Sequence, residues 1–497
     1  MSSAGELRTG TAAGRWVLFT TVLGSGLVMI DGTVVNVALD AIGTEFGAGF
    51  SGLQWTVNGY TLTLASLILL GGSLGDRYGR RRVFLVGVVW FALASLMCGL
   101  APNIETLIAA RALQGVGGAL LTPGSLALIS ASFHGPDRAA AVGAWSALGG
   151  IAGAIGPFLG GWLVEWTWRA VFLINLPLAA LIVAVALRHV PESRDPDSAP
   201  GLDVSGTALA VVGLGALTYS LTGLGESGPT PALIVGLVVG VTALVAFVLV
   251  ERRSRHPLVP PALFANRTFS AANAVTLLIY GALGVVFLLL VLQLQTVAGF
   301  SPLAAGTALL PVTAVMLVFS ARAGALAGRI GPRLLLTIGP LVSAGGLLLM
   351  LRVDSSTSWP LDVLPAVLVF GAGLAITVAP LTATVLDAAP DRYAGSASGV
   401  NNAVARAAGL LAVAIIPGLA GIGGADYTDP AAFDSGFRTS MIIGAGLLAG
   451  ASVVAFALIR NPLAAAAGTP PADGVRIEEC LHCGVTGPQV HPASRRD

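Results

Sequence analysis

Phe269–Leu294 reads FSAANAVTLLIYGALGVVFLLLVLQL, which is 26 residues without one charged side chain. A helix needs about 20 mostly apolar residues to cross the hydrocarbon core of a bilayer, and only helices and closed barrels pair all their backbone groups there. The stretch is too long and too continuously apolar for a barrel strand, whose side chains alternate in polarity. It therefore predicts a transmembrane helix.

Thirteen more stretches of this kind occur along the chain, and together they predict an all-α integral membrane protein with fourteen transmembrane helices. The 497 residues are 55% hydrophobic and only 10% charged, whereas about a quarter of the residues of a soluble protein are charged. The other predicted spans are Trp16–Leu39, Leu53–Leu74, Val83–Leu100, Leu107–Ile129, Ala140–Leu163, Val171–Leu187, Val204–Leu224, Ala232–Val250, Leu303–Leu326, Leu334–Leu351, Leu361–Leu386, Gly395–Leu419 and Phe437–Ile459.

Arginine is distributed unevenly among the predicted loops. An even number of spans places both termini on one side of the membrane. If that side is the cytoplasm, 20 of the 26 arginines lie in cytoplasmic segments, and only Arg169, Arg352 and Arg438 lie in outer ones. Because positive residues accumulate in cytoplasmic loops, we expect a multi-pass protein of the cell membrane with both termini in the cytoplasm.

Composition also limits the ligands that the chain can use. The net charge is only +1, so no nucleic-acid partner is expected. The chain contains no lysine, and a guanidinium does not release its proton in practice, so no basic side chain inside the membrane can carry protons. The five histidines fall in predicted loops or in the tail. We therefore expect no cofactor and no metal within the membrane.

The chain contains an internal repeat. Gly72–Gly87 reads GSLGDRYGRRRVFLVG, and Gly324–Gly339, 252 positions later, reads GALAGRIGPRLLLTIG. Six of the sixteen positions are identical, and each copy follows a predicted helix, the second and the tenth. Helix n therefore corresponds to helix n+8, which predicts six helices, two extra ones and six more. Many secondary transporters are built from such duplicated halves around a central site.

Five stretches resemble motifs of one family. GGSLGDRYGRRR (Gly71–Arg82) is similar to the signature loop of the major facilitator superfamily, and RALQGVGGAL (Arg111–Leu120) to its fourth-helix motif. GGIAGAIGPFLGG (Gly149–Gly161) resembles the fifth-helix motif of its antiporters. LVMIDGTVVNVALD (Leu27–Asp40) and WTWRAVFLINLP (Trp166–Pro177) resemble patterns of its fourteen-helix drug:proton antiporter branch.

The resemblance implies the major facilitator fold, with two six-helix bundles and two extra helices between them. The domains would be an N-terminal bundle over 1–188, an insertion with helices 7 and 8 over 189–268, a C-terminal bundle over 269–460 and a mobile cytoplasmic tail over 461–497. In the family, the loop between helices 2 and 3 stabilises the outward-facing state. Here that gating loop would consist of Gly72, Asp76, Arg77, Gly79, Arg80 and Arg81.

The gating loop also has a direct physical interpretation. Its arginines fit a simple cytoplasmic anchor, but an anchor does not explain the acid at Asp76. A carboxylate there can pair with the arginines or cap the N-terminus of a neighbouring helix. Such a contact would act as a latch that must break when the cytoplasmic side opens.

The predicted fifth helix is rich in small residues. Small side chains let helices approach closely, and proline bends a helix. Generic packing would explain these features, but the resemblance favours an antiporter hinge and seal. The hinge residues would be Gly149, Gly153, Gly156, Pro157, Gly160 and Gly161.

Three charged residues lie deep in predicted helices. A charge at the bilayer centre costs about 2.5–3.5 kcal/mol even on the lenient insertion scale. Asp31 is the only acid well inside a predicted helix, and Arg111 and Arg406 are the deep bases. A structural ion pair is the alternative for each. Since arginine cannot release a proton, Asp31 is the candidate proton carrier, and Arg111 is the charge that would tune it.

Polar and aromatic side chains inside the predicted spans suit a substrate cavity. Trp55 is equally well explained as an interfacial aromatic anchor, whereas asparagines deep in helices 1 and 13 are harder to explain without a ligand. The predicted cavity residues are Asn36, Trp55, Asn58, Tyr60, Gln114, Gln293, Asn401, Asn402 and Arg406.

The predicted tail carries one weak metal signal. Cys480, His482 and Cys483 lie close together, with His491 beyond, but a closed zinc site needs four ligands at compatible spacing. An unliganded pair of cysteines is therefore the expectation.

These features predict proton-coupled efflux of lipophilic drugs or secreted metabolites by alternating access, driven by the proton gradient and carried out by a monomer. The partners would be a small-molecule substrate, protons and the lipid bilayer. An uptake symporter shares the fold and is the first alternative. A membrane enzyme or sensor is the second, although neither a cluster of His, Cys and acids nor a large soluble domain is present in the sequence.

Overall fold

The computed structural model describes residues 8–194, 201–254, 257–390, 393–424 and 429–461. Within these ranges the chain forms fourteen long helices. They are α1 (Ala12–Phe46), α2 (Phe50–Tyr78), α3 (Arg80–Gly99), α4 (Ile104–Ser132), α5 (Gly135–Val164), α6 (Ala170–His189), α7 (Val204–Ser227), α8 (Pro231–Arg253), α9 (Arg267–Val297), α10 (Pro302–Ile330), α11 (Pro332–Arg352), α12 (Trp359–Asp387), α13 (Ala394–Leu419) and α14 (Pro430–Leu458).

The predicted all-α membrane architecture is confirmed. Thirteen of the helices are long and apolar enough to cross a bilayer. The fourteenth, α5, coincides with the fifth predicted span and contains a shorter apolar stretch, Ile151–Val164. The predicted tail, with Cys480, His482, Cys483 and His491, lies outside the described residues, and what we expect of it stays a prediction.

The helices pack as two groups. In the first group α1 packs on α5, α4 contacts both α2 and α3, and α6 contacts α1 and α3. In the second group α9 contacts α13 and α14, and α12 contacts α10 and α11. The two groups meet where α2 packs on α13 and α5 on α10. We call the groups the N-half and the C-half.

The two extra helices lie beside the junction of the halves. α7 packs on α2 in the N-half and on α13 in the C-half, whereas α8 packs mainly on α7. The surface of α8 is therefore largely exposed and strongly apolar, with exposed side chains at Val235, Val238, Val241, Val245 and Leu249. Such a surface suits contact with lipid chains.

The internal repeat has the same geometry in both halves. Gly79 and Gly331 occupy equivalent positions between two helices, and both adopt a positive φ, of 114° and 85°, which only glycine adopts easily. Arg81 donates from Nη1 to the Val190 carbonyl at 2.9 Å, just after α6. Arg333 donates from Nε to the Phe456 carbonyl at 2.9 Å, in the last turn of α14. In each half, the repeat thus ties the connection between the second and third helices to the C-terminal end of the sixth helix.

Candidate functional site

A buried ion pair lies inside the N-half. Asp31 on α1 and Arg111 on α4 are 0% and 1% exposed, and Arg111 Nη1 lies 2.5 Å from Asp31 Oδ2. Both were predicted as the proton-coupling residues, and the fold brings them into direct contact although 80 positions separate them. Two opposite charges this deep must be paired, because an isolated charge in a low-dielectric interior is very costly.

Neutral polar side chains complete the surroundings of the Asp31 carboxylate. Gln114 and Asn175 donate to Asp31 Oδ1 at 2.8 and 3.1 Å, and the same two amides donate to Ser95 Oγ at 2.7 and 3.2 Å. These groups come from α1, α3, α4 and α6. We call Asp31, Arg111, Gln114, Ser95 and Asn175 the carboxylate network. Its hydrogen bonds reach both carboxylate oxygens of Asp31 and tie α1 to α4 and α6.

The Arg111 guanidinium is held on all sides. Its Nε donates to the Thr56 carbonyl at 3.0 Å, and its Nη1 also donates to Gln114 Oε1 at 2.6 Å. The ring centroids of Tyr60 and Phe172 lie 4.3 and 5.7 Å from its Cζ, within the range of cation–π attraction. Tyr60 and Gln114, which the sequence analysis assigned to the substrate cavity, therefore lie beside Arg111 within the N-half.

A large cavity lies between the two halves. It consists of two adjoining chambers of about 590 Å³ and 540 Å³, which share Thr33, Asn36, Phe287, Met316 and Val378 in their walls. The larger chamber has mostly apolar walls, including Leu309, Val312 and Leu317. Each chamber is large enough for a drug-sized molecule.

The smaller chamber collects most of the predicted cavity residues. Its walls include Asn58 from α2, and Asn401, Asn402 and Arg406 from α13, in addition to Asn36. Asn58 is 1% exposed, and neither of its amide atoms has a hydrogen-bond partner in the described part of the protein. Asn401 Nδ2 donates to Asn273 Oδ1 at 3.2 Å and to Thr276 Oγ1 at 2.8 Å. The chamber therefore offers amide groups and one guanidinium to a ligand.

The cavity is closed at the end where α1 joins α2. There the Phe50 amide donates to the Gly424 carbonyl at 3.1 Å, and Gln54 Nε2 donates to the Val413 carbonyl at 2.7 Å, both from the N-half to the C-half. Gln295 Nε2 donates in the opposite direction, to the Val37 carbonyl at 3.1 Å.

At the other end, where α2 joins α3, three wall residues of the smaller chamber are exposed, which are Thr382, Leu386 and Asn402. The smaller chamber is thus open at the α2–α3 end.

Two further predicted cavity residues, besides Tyr60 and Gln114, lie away from the cavity. Gln293 is fully buried near the closed end, where its Nε2 donates to the Val353 carbonyl at 3.0 Å and to Asp434 Oδ1 at 2.7 Å. Trp55 lines a separate pocket of about 220 Å³ with Tyr219 and Glu226 of α7. These two residues contribute to packing within the C-half and between α2 and α7.

The predicted hinge glycines allow close helix contacts. A Cβ at Gly156 would lie 1.9 Å from Thr33 Oγ1, and one at Gly160 would lie 2.7 Å from Val34 Cγ2, so both face α1. Gly149 and Gly153 also face α1, at Met29, with more space. A Cβ at Gly161 would lie 2.6 Å from Leu303 Cα in the other half.

The remaining hinge residue, Pro157, lines the larger chamber with Gly153, and its carbonyl abuts Gly306 of α10. α5 therefore packs on α1 along its length and on α10 near the closed end.

The predicted gating loop is tied to the segment after α6. Asp76 pairs with Arg80 at 2.8 Å, four positions on. Glu192 Oε1 accepts from the Arg81 amide at 3.1 Å, and its other oxygen lies 3.9 and 3.8 Å from the Nε atoms of Arg81 and Arg82.

The glycines and Arg77 complete the loop. A Cβ at Gly79 would lie 2.8 Å from Glu192 Oε1, which adds a second reason for glycine there. Gly72 faces Pro123, with a Cβ distance of 3.6 Å, and Arg77 lies over the Tyr78 ring. All contacts of the loop described here stay within the N-half.

Three residues of these sites were missed by sequence reasoning. Ser95 lies within α3 and Asn175 within α6, and as neutral polar groups they carry a weaker signal than a buried charge. Glu192 lies in an irregular segment 111 positions from Arg81, so only the fold reveals the contact. A polar residue inside an apolar run, such as Asn175, is the one signal that could have been followed.

Two packed halves, a cavity between them that is open at one end, and a buried carboxylate beside it define a membrane transporter of the alternating-access class. The chain belongs to the Major Facilitator Superfamily, whose sequence profile it matches over residues 21–413. The predicted family and its localisation as a multi-pass protein of the cell membrane are therefore confirmed.

Named relatives are drug and antibiotic resistance proteins. The multidrug resistance protein Stp of Mycobacterium tuberculosis is 38% identical over 78% of this chain and 72% of its own length. The puromycin resistance protein pur8 of Streptomyces alboniger is 36% identical over 91% of this chain and 92% of its own length. Among solved structures, a POT family transporter in complex with a thioalcohol-conjugated peptide superposes with a TM-score of 0.66 at 14% identity, covering 89% of this chain and 95% of its own.

Proposed function

We propose that this protein exports lipophilic drugs or antibiotics from the cell in exchange for protons. The observation that carries the proposal is the placement of α1. One face of this helix lines the cavity through Thr33 and Asn36, while Asp31 on the opposite face belongs to the carboxylate network. A movement of α1 would therefore change the cavity and the surroundings of the carboxylate together. The names of the relatives support the class of substrate.

Asp31 would carry the proton. When the carboxylate is ionised, it balances Arg111 and accepts the donors of the network. When it is protonated, the network loses its anion, so the packing of α1, α4 and α6 favours a different arrangement. Substrate and proton would thus favour different arrangements of the same helices. Exchange of the two requires such a difference.

The α2–α3 end would face the cytoplasm, because the arginines of the gating loop lie there. The cavity would then be open inward, and substrate would enter it from the cytoplasm. The transport unit would be a monomer without a cofactor, and inward proton movement would supply about 2.3 kcal/mol per charge per 100 mV, plus the pH gradient.

Inverted membrane vesicles test the proposal directly. With a pH gradient acid inside, wild-type vesicles should accumulate members of a panel of anionic, neutral and cationic lipophilic drugs above the external concentration, and a protonophore should abolish the accumulation. Substrate-driven release of protons from the vesicle lumen should accompany transport. Uptake that continues unchanged with the protonophore, or proton movement in the same direction as the substrate, would rule out antiport.

A further inference from the structure

The charge inside the cavity has one sign. Among the described residues that line the two chambers, Arg406 of α13 is the only charged one. Asp31 does not compensate it, because its carboxylate is fully buried within the N-half and already pairs with Arg111. The cavity therefore presents one positive charge to whatever enters it.

Among the described residues, Arg406 has no polar partner. In the described part of the protein its guanidinium makes no hydrogen bond and no ion pair, in contrast to Arg111, which has five polar or aromatic neighbours. A guanidinium keeps its charge in a protein, and an unpaired charge at membrane depth is unfavourable. A carboxylate satisfies it best, because the two planar groups form two parallel hydrogen bonds.

The surroundings of Arg406 define the rest of the ligand. Asn402 lies one helical turn before it and is exposed to the cavity, and Asn58 faces the same chamber with both amide atoms unpartnered. The adjoining chamber has apolar walls, among them Val312 and Met316. A matching molecule has an apolar body, a few hydrogen-bonding groups and one negative charge at its polar end.

We propose that the cavity selects amphiphilic organic anions, with a carboxylate on Arg406, amide contacts from Asn58 and Asn402, and the apolar body in the chamber lined by Val312 and Met316. The anion preference itself does not depend on the proposed export function. Only the statement that the bound molecule is the exported substrate rests on it.

The first test uses three probes with one skeleton and different charge. These are naphthaleneacetate, the neutral naphthaleneethanol and the cationic naphthylmethyl-trimethylammonium, bound to the purified full-length protein in equilibrium dialysis. We expect the anion to bind about tenfold more tightly than the neutral probe, since hydrogen bonds to charged groups are the stronger ones, and the cation to bind most weakly. Arg406→Gln should abolish the preference for the anion, and Arg406→Lys should retain part of it.

Arg322→Gln is the matched control. Arg322 is also an arginine in a helix of the C-half, but it is exposed, donates to the Val318 carbonyl at 2.7 Å and does not line the cavity. Its replacement should leave the order of the probes unchanged. Equal affinities for anion and cation in the wild type, or an anion preference that survives Arg406→Gln, would overturn the proposal.

The second test measures the local charge without a ligand. In a protein with Cys480→Ser and Cys483→Ser, Asn402→Cys places a thiol in the cavity, and Cys98 is buried. The anionic sulfonatoethyl methanethiosulfonate should react faster than the cationic trimethylammonium-ethyl reagent, relative to their rates with a free thiol, and Arg406→Gln should reverse or remove the difference. Equal relative rates before and after Arg406→Gln would contradict the proposal.

Both tests measure binding or reaction and neither needs transport. Export could therefore prove independent of protons while the anion preference stands. Equally, the preference could fail in a protein that exports a neutral drug in exchange for protons.

Discussion

At the scale of single residues, the Asp31–Arg111 pair combines structural and functional demands. Both side chains are buried, and Arg111 Nη1 lies 2.5 Å from Asp31 Oδ2. Removing one partner of a buried pair costs about 3–5 kcal/mol, because the other charge stays buried and uncompensated. Loss of function in a single variant could therefore reflect either proton transfer or folding, and the two roles need separate variants.

We expect Asp31→Asn to abolish pH-driven accumulation in inverted vesicles and to lower the melting temperature of the purified protein. The double variant Asp31→Asn with Arg111→Gln removes both charges, so it should regain much of the stability while transport stays absent. Transport at the wild-type rate by either variant would show that the proton passes elsewhere. The measurements are substrate accumulation with an imposed pH gradient and thermal unfolding in detergent.

The two copies of the gating loop offer a matched comparison. Asp76 pairs with Arg80, but the acid is 39% exposed, and an exposed pair of this kind contributes only about 0–1 kcal/mol to stability. Asp76→Asn should therefore change the melting temperature little. It should impair transport severalfold if, in the state closed at this end, the carboxylate leaves Arg80 and caps a neighbouring helix, because the Asp76–Arg80 pair is already formed in the open state. Gly328→Asp, at the equivalent position of the second copy, should be nearly silent. Equal and mild effects at matched expression would refute the latch.

At the scale of helices, α5 joins the halves at the closed end of the cavity. A Cβ at Gly161 would lie 2.6 Å from Leu303 Cα and from the Pro302 carbonyl oxygen, and backbone cannot move aside as a flexible side chain can. The contact therefore exists only while position 161 has no side chain. Gly143 of the same helix has no atom within 4 Å of such a Cβ.

Gly161→Val should push α5 and α10 apart and favour the state that is open at the α1–α2 end. Spin labels on Ser51→Cys and Ala431→Cys, with Cys480 and Cys483 replaced by serine, should show a longer distance than in the same protein with Gly161. Gly143→Val changes helix propensity by the same amount as Gly161→Val, but a Cβ at Gly143 has no atom within 4 Å. Its distance distribution should therefore match that of the parent protein. Identical distributions for the two variants would show that Gly161 does not seal this end.

The helices themselves were predictable, because a long apolar run has one physical outcome in a bilayer. The third span, predicted over Val83–Leu100, is α3 at Arg80–Gly99, and the sixth, predicted over Val171–Leu187, is α6 at Ala170–His189. The orientation of each helix was less accessible. Tyr60 and Gln114 are as polar as Asn58, yet they contact the Arg111 guanidinium and not the cavity.

The face that a helix turns toward the cavity depends on the helices that pack against it. A single sequence does not specify those partners when most faces of a helix are apolar. Asp31, Arg111 and Arg406 could be singled out because a deep charge is costly whichever way its helix is turned. The contact of Glu192 with Arg81 depends on where α6 ends relative to α3, which no local pattern encodes.

At the scale of the whole molecule, every residue of the proposed transport cycle lies between Asp31 and Arg406. We expect truncation after Asn461 to leave accumulation in vesicles near the wild-type level, since every residue assigned to the cavity or to the carboxylate network precedes Asn461. Transport and melting temperature of the truncated and full-length proteins are the measurements. A clear loss of transport at equal expression would assign the tail a role. If the purified protein contains stoichiometric zinc that is lost on Cys480→Ser, the expectation of an unliganded cysteine pair is wrong and the tail contains a metal site.

The lone guanidinium of the cavity also determines how the membrane voltage acts on the cycle. An anion leaving the cell and a proton entering it move charge across the membrane in the same electrical sense. One exchange therefore transfers two elementary charges, each worth about 2.3 kcal/mol per 100 mV. In proteoliposomes with equal pH on both sides, a potassium diffusion potential set with valinomycin should by itself drive naphthaleneacetate uphill and produce a measurable current, whereas the neutral naphthaleneethanol should respond about half as strongly.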